Sequence, residues 1–252
     1  MHAYLAEFVG TTLLVLLGNG VVANVVLART NGNGGGWIVV TAGWGIAVFV
    51  GAFCSQQFSG AHLNPAVSLA MMLASQLSAM DTVGYIASQM AGAMLGAVLV
   101  YIFYREHFQV TQSPDDRLAC FCTSPSIRKL GPSFVCEAIG TYVLILPIFL
   151  MVSPSLRLSP ATSDLPTLGL GTIGLLPVGL LVFGIGLSLG GPTGYAVNPA
   201  RDLGPRLVHA LLPMAGKRDS DWGYAWVPVL GPFAGATLAA ISFRLLVHSA
   251  TP

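Results

Sequence analysis

Long runs without any charged residue are the feature that most constrains the fold of this 252-residue chain. In chain order, these runs cover 8–28, 30–80, 82–104, 138–156, 165–200 and 222–243. About 20 apolar residues cross the hydrocarbon of a bilayer. With 54% hydrophobic and only 8% charged residues, the chain also has few polar groups for a water-facing surface. The pattern predicts a membrane protein with six spans.

The remaining composition narrows the functional classes. A net charge of +1 gives no electrostatic reason to expect nucleic acid as a partner. The N-terminus does not read as a cleavable signal, because Glu7 interrupts it early and no basic segment precedes it. Cys54 and Cys136 lie in apolar segments and Cys120 and Cys122 in a loop, which fits neither a disulfide framework nor a zinc site. We expect no cofactor and no metal.

The spans follow from the uncharged runs and the turn residues between them. They are predicted at 4–28, 37–57, 83–104, 133–151, 168–189 and 224–247. Two further helices, 64–75 and 198–211, are too short to cross a bilayer and must be re-entrant. Pro, Ser and mixed charges predict that the long loop 105–132 is solvent-exposed, and 153–166 is a second connecting stretch.

The chain divides into two related halves. Glu7 and Glu137 occupy matching positions, and each precedes an Asn-Pro-Ala box by a similar distance, 57 residues in one half and 61 in the other. Each half holds three spans, so the second half must be inverted relative to the first. Such repeats place their site at the membrane midplane. We predict one channel domain, 1–252, with inverted repeats at approximately 1–110 and 133–252.

The two boxes suggest how the halves meet. They are Asn64-Pro65-Ala66 and Asn198-Pro199-Ala200. Asn is a good N-cap and Pro is favoured at the first helical position, so capping alone would explain a single copy. Two copies predict a lumen, since irregular backbone survives at membrane depth only where it is buried or lines water. Gly60 and Gly194 would supply the backbone freedom, and two opposed helix N-termini would repel cations and hydronium.

With their Ser-Gly-Ala-His-Leu and Asn-Pro-Ala-Arg-Asp contexts, the boxes resemble the major intrinsic protein family of aquaporins and aquaglyceroporins. The resemblance covers essentially the whole chain. It implies an all-α membrane protein in which six tilted helices and two re-entrant half-helices surround a central pore. It also implies a homotetramer with one pore per subunit.

The resemblance places the narrowest constriction at Trp44, Gly186, Tyr195 and Arg201. Trp44 and Tyr195 offer ring faces to a carbon backbone, and Arg201 offers donors to hydroxyls unless it snorkels to the interface. Gly186 leaves room where strict water channels have His. Tyr195 stands where bacterial glycerol facilitators have Phe, so its hydroxyl would either favour more polar solutes or tighten the filter.

Further residues resemble the glycerol-facilitator pattern, namely Tyr104, Asp202, Arg206, Pro228 and Val229. Strict water channels usually have a small residue at the Asp202 position and aromatic residues at the last two. Asp202 and Arg206 are four residues apart, at helical spacing. They would either hold the loop beside Arg201 or form a surface ion pair.

Three polar residues at membrane depth need partners. Glu7 and Glu137 are costly there unless they accept several hydrogen bonds. We predict that each accepts backbone N–H groups of a re-entrant loop, a scaffold role that the resemblance also implies; the alternative for Glu7 is a solvated helix end. His62 either orients the loop by packing or hydrogen-bonds in the pore, and it has no metal-ligand companions.

We therefore predict a passive channel for glycerol and related small uncharged solutes, with urea, other polyols and water among them, that excludes ions and protons. The alternatives are a water-selective pore, a secondary transporter, an intramembrane enzyme and a structural junction. An enzyme is disfavoured because no Ser/His, paired-Asp or His-Glu-x-x-His arrangement lies on the spans.

The resemblance places the protein in the cell membrane with both termini in the cytoplasm. The distribution of Lys and Arg favours the reverse orientation.

Overall fold

The computed structural model of the chain describes residues 2–152 and 170–250, and these residues are helical with connecting loops. Six helices in the described part of the chain are long and apolar enough to cross a membrane, which confirms the predicted spans. The helices are α1 His2–Val26, α2 Trp37–Ser59, α3 Pro65–Leu73, α4 Ala79–Phe103, α5 Arg105–Val110, α6 Pro114–Ala119, α7 Leu130–Leu150, α8 Leu176–Leu189, α9 Pro199–Leu211 and α10 Val227–Ala250. A 3₁₀ turn, Gly171–Leu175, leads into α8. The predicted stretch 153–166 lies outside the described residues.

Small residues bring the long helices close together. A Cβ atom placed on Gly96 of α4 would lie 2.8 Å from the Thr12 carbonyl oxygen of α1. A Cβ on Gly235 of α10 would lie 2.2 Å from the Ala138 carbonyl oxygen of α7. No larger residue fits at either crossing. The α1–α4 and α7–α10 contacts are therefore equivalent in the two halves.

The short helices α3 and α9 begin at the two boxes. Asn64 Oδ1 accepts from the Ala66 amide at 2.9 Å, and Asn198 Oδ1 accepts from the Ala200 amide at 3.0 Å. Each helix has Pro at its first position, where the missing N–H loses no bond. α3 packs against α4 and α10, and α9 packs against the same two helices. Both short helices thus lie inside the bundle.

The loop 105–132 differs from its prediction. It contains α5 and α6, with Ser113 capping α6 through the Asp116 amide at 3.1 Å. Beyond α6, the stretch 118–123 is largely buried. The prediction of a solvent-exposed loop was therefore wrong for this stretch, because the apolar residues Leu118 and Phe121 are buried in the protein.

Candidate functional site

The first irregular segment joins α2 to α3 and is held by one carboxylate. Gly60, Ala61 and Leu63 have φ values of 80°, 54° and 50°, in the left-handed region. This conformation is costly for residues other than glycine. Glu7 compensates, since its carboxylate accepts from the His62 amide at 2.9 Å and from the Leu63 amide at 2.7 Å.

Two side chains complete the surroundings of Glu7. The Ser59 hydroxyl donates to it at 2.6 Å and Gln89 Nε2 at 2.7 Å. Glu7 is fully buried, so a solvated helix end, the alternative prediction, was wrong. Four donors offset the cost of burying the carboxylate.

The second irregular segment repeats this arrangement before α9. Gly194, Tyr195 and Val197 have φ values of 77°, 38° and 43°. Glu137 is 1% exposed and accepts from the Ala196 amide at 3.0 Å and the Val197 amide at 2.8 Å. Each segment therefore contains residues in the costly left-handed conformation, and a buried carboxylate from the same half stabilises them.

The two boxes meet through their amide groups. Asn64 Nδ2 donates to the Val197 carbonyl at 2.9 Å, and Asn198 Nδ2 donates to the Leu63 carbonyl at 2.8 Å. An amide nitrogen carries two N–H donors, so each asparagine keeps one donor for a passing molecule. Both side chains line a cavity of about 770 Å³, here called the amide cavity.

His62 packs within the protein and also borders the amide cavity, whereas the pore hydrogen bond considered for it stays a prediction. Its Nδ1 lies 3.1 Å from the Ser68 hydroxyl, and its ring packs against Tyr85 with centroids 4.9 Å apart. It also lines the amide cavity. Packing and pore exposure are thus not exclusive at this position.

A second cavity, of about 660 Å³, lies on the side of the 105–132 loop and is here called the loop cavity. Within the described residues, the two cavities have three lining residues in common, which are Trp44, Tyr195 and Arg201. These two spaces therefore meet at the side chains that the resemblance assigned to the constriction. We call these three residues the filter.

Arg201 is the charged member of the filter. It is 7% exposed, so snorkelling does not describe it, and its Cζ lies 4.2 Å from the centroid of the Trp44 ring. Among residues 2–152 and 170–250, its guanidinium makes no hydrogen bond or ion pair with a protein acceptor. Its N–H donors are consequently available at the junction of the two cavities.

Gly186 contributes indirectly. A Cβ placed there would lie 2.8 Å from both Tyr195 Cζ and Thr41 Cγ2, and Gly186 lines neither cavity. Trp37 Nε1 donates to the Gly186 carbonyl at 2.9 Å, and its ring meets the Tyr195 ring edge-on at 5.8 Å. The prediction that Gly186 itself leaves room in the pore therefore needs correction, because Tyr195 occupies that room.

The residues of the polyol pattern fall into two groups. Asp202 and Arg206 form an ion pair at 2.8 Å with both side chains fully buried, so a surface pair, the alternative prediction, was wrong. Tyr104 is the C-cap residue of α4, and Pro228 and Val229 lie in the first turn of α10. These last three residues line neither cavity.

Charged residues surround the loop cavity. Arg128 pairs with Asp221 at 2.6 Å, and Arg218 pairs with Asp115. Hydrogen bonds from the Arg128 guanidinium hold the pKa of the Asp221 carboxyl below its usual range. This pair therefore stays formed in mildly acidic solution and is lost only as pH falls through the lowered pKa.

Sequence reasoning missed several residues of the site. Trp37 and Gln89 carry no local signal, since an aromatic or a glutamine on an apolar helix has many uses. Thr123 lies in the loop that was predicted to face solvent. The uninterrupted run Leu118-Ala119-Cys120-Phe121-Cys122 in a polar loop was a signal that this segment enters the protein.

Six apolar helices, two short helices joined at their N-terminal asparagines, and two cavities that meet at a buried arginine define a membrane channel. The sequence matches the Major intrinsic protein family over residues 1–243. It is 49% identical over 246 residues to a probable glycerol uptake facilitator protein of Thermotoga maritima, covering 98% of this chain and 100% of the relative. It is 47% identical over 245 residues to a glycerol uptake facilitator protein of Streptococcus pneumoniae, covering 97% and 99%.

A solved structure gives the same answer. The X-ray structure of the aquaglyceroporin from Plasmodium falciparum superposes with a TM-score of 0.79 at 31% identity, covering 98% of this chain and 96% of that one. The chain belongs to the major intrinsic protein family. The comparisons confirm the predicted fold class, the multi-pass membrane location and the expectation of a channel rather than an enzyme.

Proposed function

We propose that this protein is a passive channel for glycerol and related small uncharged solutes, with urea, other polyols and water among them. The observation that carries the proposal is the filter, where the buried Arg201 guanidinium has no protein acceptor in the described chain and shares the cavity wall with two aromatic rings. A polyol has hydroxyls along one edge and C–H groups along the other. Arg201 donates to the hydroxyls, and the rings of Trp44 and Tyr195 contact the carbon chain.

Charge exclusion follows from the same geometry. The N-termini of α3 and α9 face each other and each carries roughly half a positive charge. Arg201 adds a full charge at the filter, so cations and hydronium meet two barriers in series. Glu7 and Glu137, with Gly60 and Gly194, hold the loops whose carbonyls guide the solute between them.

The relatives support glycerol over water alone as the solute. Two of them are named glycerol uptake facilitators, and the similar solved structure is an aquaglyceroporin. A water-selective pore needs a narrower, more polar constriction. In this chain Gly186 admits the Tyr195 ring, which makes that wall aromatic.

A permeability assay tests the proposal. Purified protein in proteoliposomes is mixed rapidly with an isotonic glycerol solution and, separately, with a hypertonic sucrose solution, and vesicle volume is followed by light scattering. We expect glycerol entry faster than in protein-free vesicles. Fast water flux with glycerol entry equal to that of protein-free vesicles would refute the polyol proposal. Solute accumulation driven by an ion gradient would indicate a transporter instead.

We also propose that the chain is one channel domain of two inverted repeats, approximately 1–110 and 133–252, that four copies assemble, and that both termini lie in the cytoplasm of the cell membrane. Equivalent Glu, Asn and Gly contacts in the two halves support the repeat.

Cysteines introduced singly at exposed Ile127 and Met80 test the orientation of the chain in the membrane. Labelling of Ile127→Cys but not Met80→Cys by a membrane-impermeant maleimide on intact cells is the expected result, and native mass spectrometry measures the assembly.

A further inference from the structure

A closed ring of hydrogen bonds joins the 105–132 loop to α9. The Thr123 amide and hydroxyl both donate to Asp202 Oδ2, each at 2.7 Å. Asp202 Oδ1 accepts from Arg206 Nε at 2.8 Å, and Arg206 Nη2 donates back to the Thr123 carbonyl at 2.9 Å. Thr123 is 6% exposed, and the other two residues are fully buried. Bonds to buried charged groups of this kind are the strong ones.

The loop is itself fixed on both sides of Thr123. Before it, the Phe121 carbonyl accepts from Asn19 Nδ2 of α1 at 3.3 Å. After it, the amide of Ser126 donates to the Pro192 carbonyl at 3.0 Å, and its hydroxyl donates to the same oxygen at 3.2 Å. Thr123 is therefore a fixed point against which α9 is held.

Thr123 is bonded to the residue that directly follows Arg201 of the filter. Asp202 follows Arg201 in the first turn of α9, so an anchored carboxylate restricts the backbone that carries the guanidinium. The Thr123 methyl is also close to the other filter segment, since a Cβ on Gly194 would lie 3.3 Å from Thr123 Cγ2. Thr123 lines the loop cavity. Thr123 thus lies beside the two segments that carry Tyr195 and Arg201.

Arg201 needs such support because its guanidinium has no other described anchor. It makes no hydrogen bond with a protein acceptor within residues 2–152 and 170–250, and its ring contact with Trp44 restrains it only weakly. An arginine that must donate to passing solutes is best held through its backbone rather than through its donors.

We infer that Thr123 is a positioning residue for Arg201 and that its hydroxyl sets how sharply the filter distinguishes solutes by size. This inference rests on the proposed function of the filter. The two hydrogen bonds from Thr123 to Asp202 and the two that Arg206 donates to Asp202 and Thr123 hold the first turn of α9 in place. The position of this turn sets the distance between the Arg201 guanidinium and the aromatic rings of the filter. A residue of the 105–132 loop, outside the spans and the boxes, therefore contributes to the geometry of the filter.

The test compares three variants of the full-length protein in proteoliposomes. Thr123→Val keeps the shape and the contact with Gly194 but removes the hydroxyl donor. Thr123→Ser restores the donor without the methyl. Thr82→Val is the matched control, because Thr82 is buried and its hydroxyl bonds to the Ser78 carbonyl at 2.8 Å, at the start of α4. Entry of glycerol, the five-carbon polyol xylitol and water is measured for each, together with the thermal unfolding midpoint.

We expect Thr123→Val to lower the glycerol-over-xylitol permeability ratio by about threefold to tenfold, the scale of one hydrogen bond of ordinary net strength. Thr123→Ser should restore the wild-type ratio, and Thr82→Val should leave it unchanged. A purely stabilising role would lower the unfolding midpoint of Thr123→Val without moving the ratio, and that result would overturn the inference. So would a ratio that Ser fails to rescue.

The proposed function fails on a different quantity, the glycerol entry of the wild type. If the wild type carried only water, the inference would be tested by water permeability, which should then differ between Thr123→Val and Thr82→Val. Equal water permeability of these two variants would overturn it in that case.

Discussion

The two re-entrant segments of this channel share one backbone conformation but differ in the residues after their boxes. Both have a left-handed glycine, two left-handed non-glycine residues and a buried carboxylate that accepts two consecutive amides. Both end in an asparagine that caps a short helix and donates to the opposite segment. The shared part is what places two helix N-termini and two amide donors at the centre of the pore.

The divergence begins at the position directly after each box. Counting from each asparagine, Val67 corresponds to Arg201 and Ser68 corresponds to Asp202. Arg201 lies in the filter, whereas Val67 only lines the amide cavity. The two frameworks are thus equivalent, and only the second half places a charged side chain directly after its box, where the two cavities share lining residues. Variants at matched positions of the two halves test this division.

The largest effect is expected from removing either buried carboxylate. Glu7→Ala and Glu137→Ala each leave two consecutive amides without an acceptor in buried, left-handed backbone. We expect each to lose on the order of 3–6 kcal/mol of stability, from two or more unsatisfied groups at about 1–3 kcal/mol apiece. The thermal unfolding midpoint in detergent measures this. A large loss in one half and a negligible one in the other would break the equivalence of the two frameworks.

Asp202→Asn should come next. It leaves the Arg206 guanidinium buried beside a neutral partner, which costs about 3–5 kcal/mol for a buried ion pair. Ser68→Ala is the matched change in the first half and should cost less, about 2 kcal/mol, because the buried Ser68 hydroxyl has two hydrogen-bond partners, Gln89 Nε2 and His62 Nδ1, at about 1 kcal/mol each. Denaturation midpoints of the two variants test the difference. Equal losses would mean that the ion pair adds nothing specific to the second half.

Arg201→Ala should change selectivity more than stability. Removing the charge from a low-dielectric passage is expected to raise proton leak by about tenfold or more, since about 1.4 kcal/mol corresponds to a factor of ten. Val67→Ala, at the corresponding position, should leave proton leak at the wild-type level. A pH-sensitive dye inside proteoliposomes under a potassium diffusion potential measures both. An unchanged leak in Arg201→Ala would place charge exclusion entirely at the boxes.

The smallest effects are expected at the two glycines. Gly60→Ala and Gly194→Ala both place a side chain at positive φ, which costs about 1–2 kcal/mol. The added methyl at Gly194 would also press on Thr123 at 3.3 Å, whereas at Gly60 the nearest atom is 3.9 Å away. We expect similar unfolding midpoints but reduced glycerol entry only for Gly194→Ala. Reduced glycerol entry in Gly60→Ala as well would show that backbone strain alone impairs permeation, without the contact with Thr123.

Cations on the loop side illustrate what sequence counting misses. Their number there runs against the usual charge bias, yet several of them have structural partners. Lys217 Nζ donates to the His209 carbonyl at 2.6 Å and the Leu212 carbonyl at 2.6 Å, at the end of α9. Arg117 is buried and donates to the Thr111 carbonyl at 2.8 Å and the Ala215 carbonyl at 2.5 Å. These cations bind main-chain carbonyls at or shortly after the C-terminal ends of α5 and α9, which a count of charges does not reveal.

The six spans, the two short helices and the paired boxes could be predicted from the sequence, because each depends on local composition or on spacing along the chain. Hydrophobic length fixes a span, and Asn-Pro fixes a helix start. The family resemblance also predicted a constriction at Trp44, Tyr195 and Arg201, and these three residues line both cavities. Contacts between residues far apart in the chain could not be predicted in this way, since they depend on which surfaces the folded bundle brings together.

The contacts around the filter could be seen only in the folded protein. Folding placed the Tyr195 ring in the space beside Gly186, buried the Asp202–Arg206 pair, and brought Thr123 from a polar loop to the back of the filter. Each of these contacts joins residues from separate segments or depends on how they pack. Burial then sets their strength, because a hydrogen bond or charge removed from water must find its partner within the protein.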